Sequence, residues 1–207
     1  IVTLMKRRIT ILNSINFCVD KGEYVAIIGK SGAGKSTLLN ILCGIDKPTS
    51  GNYYYEDKLV KSDDDYCKLR NNKISVIMQN FALVENISVL NNILLKTNNK
   101  IHALEALDRV GIKHLAKTRV SLISGGEKQR VAIARALVNS CECLLADEPT
   151  GSLDSKNSDE IKILLKKLNA EGVTIILVTH DHEFANQANR IVELRDGCII
   201  EDRLITK

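Results

Sequence analysis

The sequence predicts an α/β fold with a mostly parallel central sheet. Short apolar runs at 24–28, 74–78, 143–146 and 173–178 have the length of buried strands. Between the last two runs lies an amphipathic helical pattern at 158–168. Strands that are apolar throughout and joined through a helix are typical of a parallel sheet covered on both faces. We therefore expect a single domain over residues 1–207, which is long enough to bury a sizeable core.

Two smaller units are expected around this sheet. Strand patterns at 15–19 and 52–55, together with the turn at 20–23 that leads into 24–28, predict an N-terminal antiparallel β subdomain. From about 80 to 135 the apolar residues follow a mixed three- and four-residue spacing, which predicts a short inserted helical subdomain.

Local signals add a helix start and a hairpin. The acidic residues at 63–65 favour a helix N-terminus before the strand at 74–78. The turn at 195–197, between apolar runs at 191–194 and 198–200, predicts a hairpin that closes one edge of the sheet.

Composition is that of an ordinary soluble globular protein, with 44% hydrophobic and 26% charged residues. No run approaches the roughly 18 apolar residues of a membrane span, and the first 25 residues lack a signal-peptide pattern. The sequence begins with Ile, which leaves open a trimmed N-terminus. The net charge of +4 comes from dispersed lysines, so nucleic acid is not an expected partner.

The cysteines are expected to be reduced and mostly buried. They form no C-x-x-C pair and have no histidine at zinc-finger spacing, which is typical of a cytosolic protein. Cys141 and Cys143 could share one face of a strand, but their neighbourhood supplies too few further ligands for a tetrahedral metal site. The six residues are Cys18, Cys43, Cys67, Cys141, Cys143 and Cys198.

A glycine-rich stretch joins the strand at 24–28 to a helical pattern at 38–42. Residues 29–37 read Gly-Lys-Ser-Gly-Ala-Gly-Lys-Ser-Thr and match G-x-x-x-x-G-K-[ST], a phosphate-binding loop. Lys35 would add a positive charge on the phosphates, and Ser36 would offer its hydroxyl to Mg²⁺. The alternative is a glycine-rich turn that matches by chance, which the strand before it and the helix after it disfavour.

Polar residues with catalytic chemistry follow three other predicted strands. Asp147 and Glu148 come after 143–146, and the carboxyl ends of parallel strands are where ligands collect. Asp147 would hold Mg²⁺ through water, and Glu148 would orient and polarise the attacking water. His180 and Gln79 end neighbouring strands, so they are expected on the same rim. The alternatives are solvated acids, a structural histidine and an unremarkable glutamine.

Ser124 precedes a second glycine-rich helix start. It is expected to cap a helix whose first turn holds Gly125 and Gly126, which leaves bare N–H groups for a phosphate. A domain that already has a phosphate loop has no obvious need of another, so this helix end would serve the nucleotide of a second copy. The alternative is a plain glycine-rich helix start.

With these motifs the chain resembles, over its full length, the nucleotide-binding subunit of an ATP-binding cassette (ABC) transporter. The loop at 29–37 resembles the Walker A motif, 123–129 the family signature, 143–148 the Walker B strand and 152–154 the D-loop. The resemblance implies a P-loop ATPase that forms a head-to-tail dimer around two ATP molecules with Mg²⁺, each held between the Walker A loop of one copy and the signature of the other.

The site residues fall into three groups. Catalysis is assigned to Glu148, His180 and Gln79, and Mg²⁺ binding to Ser36, Gln79 and Asp147. ATP binding is assigned to Gly29, Lys30, Ser31, Gly32, Ala33, Gly34, Lys35, Ser36, Thr37, Ser124, Gly125, Gly126 and Glu127.

Two departures from the family pattern stand out. The signature commonly reads Leu-Ser-Gly-Gly-Gln, and here Ile123 and Glu127 occupy the outer places. The family also stacks adenine on an aromatic residue before the first strand, and residues 2–5 contain none. Either that residue was trimmed away, or a substitute contacts the base, for which we expect an aliphatic side chain such as Leu4 or Met5, or the guanidinium of Arg7 or Arg8.

The sequence at 38–51 and 147–154 resembles that of the bacterial branch of this family that serves lipoprotein release, macrolide or peptide efflux and bacteriocin export. The resemblance implies an ATPase that powers export of a peptide, bacteriocin or lipophilic compound through a separate membrane permease. It would lie in the cytoplasm against the inner face of the membrane, with 80–84 receiving a helix of the permease. An importer subunit remains an alternative, as do a non-transport ABC ATPase and, remotely, a small-molecule kinase.

Overall fold

The structure, a computed structural model, describes residues 10–139 and 141–205. Within these ranges, no helix is both long enough and apolar enough to span a membrane. The strands are β1 (Tyr24–Ile28), β2 (Tyr54–Tyr55), β3 (Lys58–Leu59), β4 (Ile74–Ile77), β5 (Cys143–Asp147), β6 (Thr174–Val178), β7 (Arg190–Arg195) and β8 (Cys198–Leu204). The helices are α1 (Lys35–Leu42), α2 (Asp63–Asn72), α3 (Val89–Leu94), α4 (Lys100–Arg109), α5 (Gly125–Leu137), α6 (Ser155–Ala170) and α7 (His182–Ala185), with single 3₁₀ turns at Lys113–Leu115 and Val120–Leu122.

The central sheet has six strands in the order β4-β5-β6-β1-β7-β8. The first five are mutually parallel, and β8 pairs antiparallel with β7. This confirms the predicted α/β fold with a mostly parallel core. Because the parallel strands run the same way, the loops that follow β1, β4, β5 and β6 all leave from one rim of the sheet.

Both faces of the sheet are covered, as its uninterrupted apolar strands require. Every residue of β1 is buried. Tyr24, Ala26 and Ile28 belong to a core shared with α3–α6, while Val25 and Ile27 belong to a second core against α1 and α2. The alternation of the strand therefore divides one apolar run between two cores.

The predicted strand at 15–19 is not formed. The segment has half-buried and exposed residues in alternation, but no backbone–backbone hydrogen bond joins it to a strand among the described residues. Its one bond to a strand there comes from a side chain, since Arg190 of β7 donates to the carbonyl oxygen of Cys18 at 3.0 Å. Its half-buried residues Ile15, Phe17 and Val19 pack on the core beside α1. Antiparallel pairing in this half of the chain is a two-stranded sheet of β2 and β3, smaller than the predicted subdomain.

Other bounds differ where caps and pairing extend an element. Helix α6 begins three residues before the predicted pattern because Asp154 accepts a hydrogen bond from the amide of Asn157 and caps it. Strand β8 runs to Leu204, and the predicted turn holds Asp196 and Gly197 at φ +48° and +77°. Both angles suit the tight hairpin expected there.

The region at 80–135 contains α3, α4 and most of α5, which continues to Leu137. Helix α2 begins at Asp63, as predicted, with Ser62 and Asp65 forming a capping box. Buried residues of α3, α4 and α5 share one core with the sheet. The division of the chain into a domain and an inserted subdomain stays a prediction.

Candidate active site

The loop after β1 adopts a conformation that only glycine tolerates. Gly29, Gly32 and Gly34 have φ of +151°, +82° and +100°. A Cβ on Gly29 would lie 2.3 Å from the carbonyl oxygen of Leu194, so no side chain fits there. Helix α1 has no side-chain cap, and the amides of residues 34–37 have no acceptor among the described residues. These free donors at a helix N-terminus form an anion-binding cradle.

The side chain of Lys35 folds back across this loop. Its Nζ donates to the carbonyl oxygens of Gly29 and Lys30, at 2.6 and 3.0 Å. A positive charge is therefore held at the mouth of the cradle, where it adds to the free amides and the positive end of α1. The predicted lysine and the predicted loop form one site.

Ser36 and Asp147 meet beside the same cradle. Burial, and next the charge of Glu148, raise the pKa of Asp147, while Lys35 and a hydrogen bond from the Ser36 hydroxyl act in the opposite direction. A half-buried carboxylate beside a hydroxyl is a pair of oxygen donors of the kind that Mg²⁺ accepts. The residues present therefore fit that ion.

Glu148 lies at the start of a strained turn. Its φ of +46° is unusual for a residue with a side chain, and its amide still donates to Val178 of β6 at 2.9 Å. Its Oε1 contacts both the amide of His180, at 3.0 Å, and His180 Nδ1, at 2.7 Å. Its Oε2 accepts from the hydroxyl of Thr179 at 3.2 Å. The carboxylate is thus held by three donors on the loop after β6.

Gln79 reaches the same turn from β4, which ends two residues before it. A Cβ on Gly151 would lie 3.2 Å from Gln79 Nε2, so the amide lies against the turn that carries Glu148. The structure therefore brings together the predicted Lys35, Ser36, Asp147, Glu148 and His180, with Gln79 at their edge.

The Ser124 group lies elsewhere in the chain. Ser124 caps α5 and forms a capping box with Glu127, whose pKa is lowered first by the Ser124 amide and then by the Ser124 hydroxyl. A Cβ on Gly126 would lie 2.2 Å from Asn157 Oδ1, so this helix end packs against the start of α6. Among the hydrogen bonds and ion pairs of residues 10–139 and 141–205, none joins 124–127 to the loop at 29–37.

Sequence reasoning missed Thr179, Asp181 and Lys162. Thr179 binds Glu148, Asp181 binds Thr179, and Lys162 contacts Asp181. The polar residues that flank His180 were the available signal, since three consecutive polar side chains end an otherwise apolar strand. Lys162 gave no signal because a lysine on a helix is usually exposed.

A groove of about 1030 Å³ extends beside the phosphate loop. It is lined on one side by residues 10–15 and on the other by Thr37, α1 and the loop at 47–53. Leu12 lies so close that a Cβ on Gly34 would be 2.7 Å from its Cδ2. The base contacts expected from Leu4, Met5, Arg7 and Arg8 lie outside the described residues.

The fold and the loop together define a P-loop ATPase. The ABC transporter family matches residues 12–151. The ABC transporter ATP-binding protein YvrO of Bacillus subtilis (strain 168) is 44% identical, over 96% of this chain and 91% of that protein. The macrolide export ATP-binding/permease protein MacB of Campylobacter jejuni is 42% identical over 93% of this chain, which spans 32% of its length.

A solved structure is similar over the whole length of the chain. The ATP-binding cassette MJ0796, dimeric and bound to ADP and phosphate in a post-hydrolysis state, superposes with a TM-score of 0.87 at 37% identity. The match covers 100% of this chain and 95% of that one. The chain therefore belongs to the ABC transporter family and is an ATP-binding, ATP-hydrolysing component of such a transporter. The predicted resemblance is confirmed, and the small-molecule kinase is set aside.

Proposed function

We propose that the chain powers export through a membrane permease, working as a head-to-tail dimer with two shared ATP sites. One observation carries the dimer: the helix end at 124–127 and the loop at 29–37 both have the form of phosphate sites, yet no hydrogen bond or ion pair of the described residues joins them. A second copy supplies the missing half of each site. The dimeric state of the MJ0796 cassette supports this arrangement.

Within each site the loop amides and Lys35 bind the β- and γ-phosphates. Ser36, Asp147 and Gln79 would hold Mg²⁺, which would neutralise charge on the phosphates. Glu148 orients the attacking water and accepts its proton, since its carboxylate is held by three donors that fix its position. His180, whose side chain is 76% exposed, donates toward the γ-phosphate from the same rim.

The adenine base occupies the groove between residues 10–15 and α1. Thr37 lines this groove and also ends the phosphate loop, so a nucleotide bound through its phosphates would extend into it. Ile11 is 51% exposed there and Leu12 is half-buried. Both are aliphatic, and contact with either side chain would hold the base without an aromatic stack.

The permease binds beside the Gln79 loop. Phe81 and Ala82 have φ of +59° and +47°, and Arg135 donates to both carbonyl oxygens, at 3.1 and 2.6 Å. Val84 is 46% exposed, and its backbone amide donates to Oδ1 of the Asn92 side chain at 2.9 Å. This irregular, partly apolar surface is anchored firmly enough to receive a helix of the membrane subunit. The ATPase would then lie in the cytoplasm, at the inner face of the membrane.

Export is favoured over import by the similarity to MacB, named as a macrolide exporter. The cargo we propose is a macrolide-like or other lipophilic compound, or a peptide. ATP-dependent uptake of such a cargo into inverted membrane vesicles that contain the chain and its permease would support export. ATP-dependent accumulation of the cargo in right-side-out vesicles would instead indicate an importer. ATP-dependent transport in neither vesicle orientation would indicate a non-transport ATPase.

Mixing two inactive variants tests the shared site directly. A Ser124→Arg chain lacks a usable signature, and a Lys35→Ala chain lacks a usable phosphate loop. The mixed dimer contains one site made of two intact halves, so equimolar mixing should restore up to about a quarter of the parental ATPase rate by random pairing. Native mass spectrometry would verify that mixed dimers form. Mixed dimers with no more activity than either variant would contradict the head-to-tail arrangement.

A further inference from the structure

Lys162 is a charged residue buried where an apolar one would fit. It lies on the core-facing side of α6, and only 8% of its side chain is exposed. Its Nζ is 3.4 Å from Asp181 Oδ2 and 3.5 Å from Asp159 Oδ1, and it lies 5.6 Å from the ring centre of Phe184. A buried ion pair is rarely more stable than apolar packing, so its presence calls for a role other than stability.

The partner of Lys162 leads directly to Glu148. The amide of Asp181 donates to Thr179 Oγ1 at 3.0 Å, and Asp181 Oδ1 accepts from the amide of Phe184 at 3.0 Å. Because Thr179 Oγ1 already accepts the Asp181 amide, its single proton is free to donate to Glu148 Oε2, at 3.2 Å. The direction of each hydrogen bond in the chain of contacts is therefore determined.

The two oxygens of Glu148 are not equivalent. Oε1 is contacted by the amide and the ring of His180, while Oε2 accepts one hydrogen bond, from Thr179. Oε2 is consequently the oxygen with capacity left for a water molecule. The orientation of Oε2 depends on the hydrogen bond from the Thr179 hydroxyl. Thr179 is held in turn by the hydrogen bond that its Oγ1 accepts from the amide of Asp181.

We propose that Lys162 is a positioning residue for ATP hydrolysis, acting through Asp181 and Thr179 to aim Oε2 of Glu148 at the attacking water. This inference rests on the proposed role of Glu148. Small displacements of a reacting group reduce rates strongly while leaving distant contacts intact. Loss of the Lys162 charge should therefore slow the chemical step and leave nucleotide binding, which uses the loop at 29–37, unchanged.

The test compares Lys162→Met, which keeps the stem and removes the charge, with the matched control Lys166→Met, an exposed lysine one turn further along α6. Lys162→Met should lower kcat for ATP about tenfold, with KM changed less than twofold, and its melting temperature should be equal to or above that of the parent. Lys166→Met should match the parent in all three. Lys162→Arg, which restores the charge, should return kcat to within about threefold of the parent.

A double-mutant cycle tests whether the effect passes through Thr179. Thr179→Val removes the hydroxyl at nearly constant volume and should also lower kcat. If both residues act on one oxygen, the kcat of Lys162→Met/Thr179→Val should lie within about twofold of the kcat of the slower single variant. If the losses of kcat in the two single variants instead multiply in the double variant, the proposal is overturned. A parental kcat in Lys162→Met would also overturn it, as would a loss that nucleotide titration traces to a smaller fraction of folded protein.

The variant Glu148→Gln separates this inference from its premise. If Glu148→Gln hydrolyses ATP at the parental rate, the proposed role of Glu148 fails, and the positioning role fails with it. If Glu148→Gln is inactive while Lys162→Met turns over like the parent, only the role of Lys162 is wrong.

Discussion

At the scale of single residues, Glu148 combines backbone strain with a carboxylate that three donors hold in place. A residue with φ of +46° persists only where its surroundings enforce it, and here the amide bond to Val178 and the contacts to Thr179 and His180 do so. Such strain is common at sites that must hold a group in one orientation. The geometry suits a carboxylate that receives a proton from water.

Glu148→Gln should therefore separate binding from hydrolysis. The amide keeps the shape of the side chain but cannot accept the proton, so kcat should fall by about 10²–10⁴-fold while ATP affinity stays within a few-fold of the parent. Trapped ATP should hold the dimer together. Size-exclusion chromatography with and without ATP measures this, and turnover at the parental rate would remove Glu148 from the mechanism.

Asp147 gives a prediction about pH in the nucleotide-free chain. Its pKa is raised, mainly by burial and then by Glu148, so folding favours its neutral form. The stability that this neutral form contributes is present below the ordinary carboxyl pKa of about 4 and is lost as pH rises through the raised pKa. Asp147→Asn stays neutral at every pH and escapes that loss.

The free energy of unfolding of Asp147→Asn, relative to the parent, should consequently increase from pH 4.5 to pH 7.5. Urea denaturation of both proteins without nucleotide or Mg²⁺ measures the difference. The Asp64→Asn variant serves as the control, because the Asp64 side chain is 71% exposed and pairs only at the surface, with Lys68 at 2.6 Å. A difference that shrinks as pH rises would mean that the charged form of Asp147 is the one the fold favours.

At the scale of elements, the start of α5 and the start of α6 interlock through Gly126 and Asn157. Asn157 is held by Asp154, which accepts from its amide at 2.9 Å and from its side chain at 2.7 Å. A Cβ on Gly126 would lie 2.2 Å from Asn157 Oδ1 and 2.6 Å from its Cγ. The glycine is therefore required for helix packing within one chain, besides any contact with nucleotide.

Gly126→Ala should lower the free energy of unfolding by about 1–3 kcal/mol through overpacking. Gly125→Ala is the matched control, since its Cβ would meet only the flexible Leu153 Cδ2, at 3.3 Å. Gly126→Ala/Asn157→Ala removes the two closest atoms and leaves Asn157 Cβ, 3.0 Å away, so it should recover part of the loss. If the double variant is as unstable as the single one, the clash with Asn157 is not the cause.

At the scale of the whole molecule, the proposed site would hold the nucleotide almost entirely by its phosphates. The loop at 29–37, Lys35 and the rim of the sheet supply charged and backbone contacts, whereas the groove at 10–15 presents the aliphatic Ile11 and Leu12. An aromatic stack on a base is worth roughly 1–3 kcal/mol in comparable platforms. A site without one should read the base weakly.

ATP should accordingly bind no more than about tenfold more tightly than GTP, because the lost stack is small beside the phosphate contacts. Dissociation constants of both nucleotides, measured on Glu148→Gln to prevent turnover, provide the comparison. Ile11→Ala should weaken both nucleotides alike. A hundredfold preference for ATP would reveal a contact that reads adenine.

The phosphate loop and the polar strand ends were predictable because their chemistry is written in consecutive residues. Three glycines at positive φ, a lysine and a serine define the cradle locally, and an apolar run followed by Asp147 and Glu148 marks a strand end. The prediction of a strand at 15–19 was wrong for the opposite reason, because a strand exists only where a partner strand pairs with it. No local pattern reveals that partner.

By itself the sequence determined the sheet class, the loop at 29–37 and the residues offered at the rim, since each depends on near neighbours along the chain. Only the tertiary structure decided which of them meet. Thr179 and His180 reach Glu148 across 31 and 32 residues because β5 and β6 lie side by side, and Lys162 reaches Asp181 because α6 packs over that end of the sheet. Such contacts arise from the order of strands and the packing of both faces, which hydrophobic pattern does not encode.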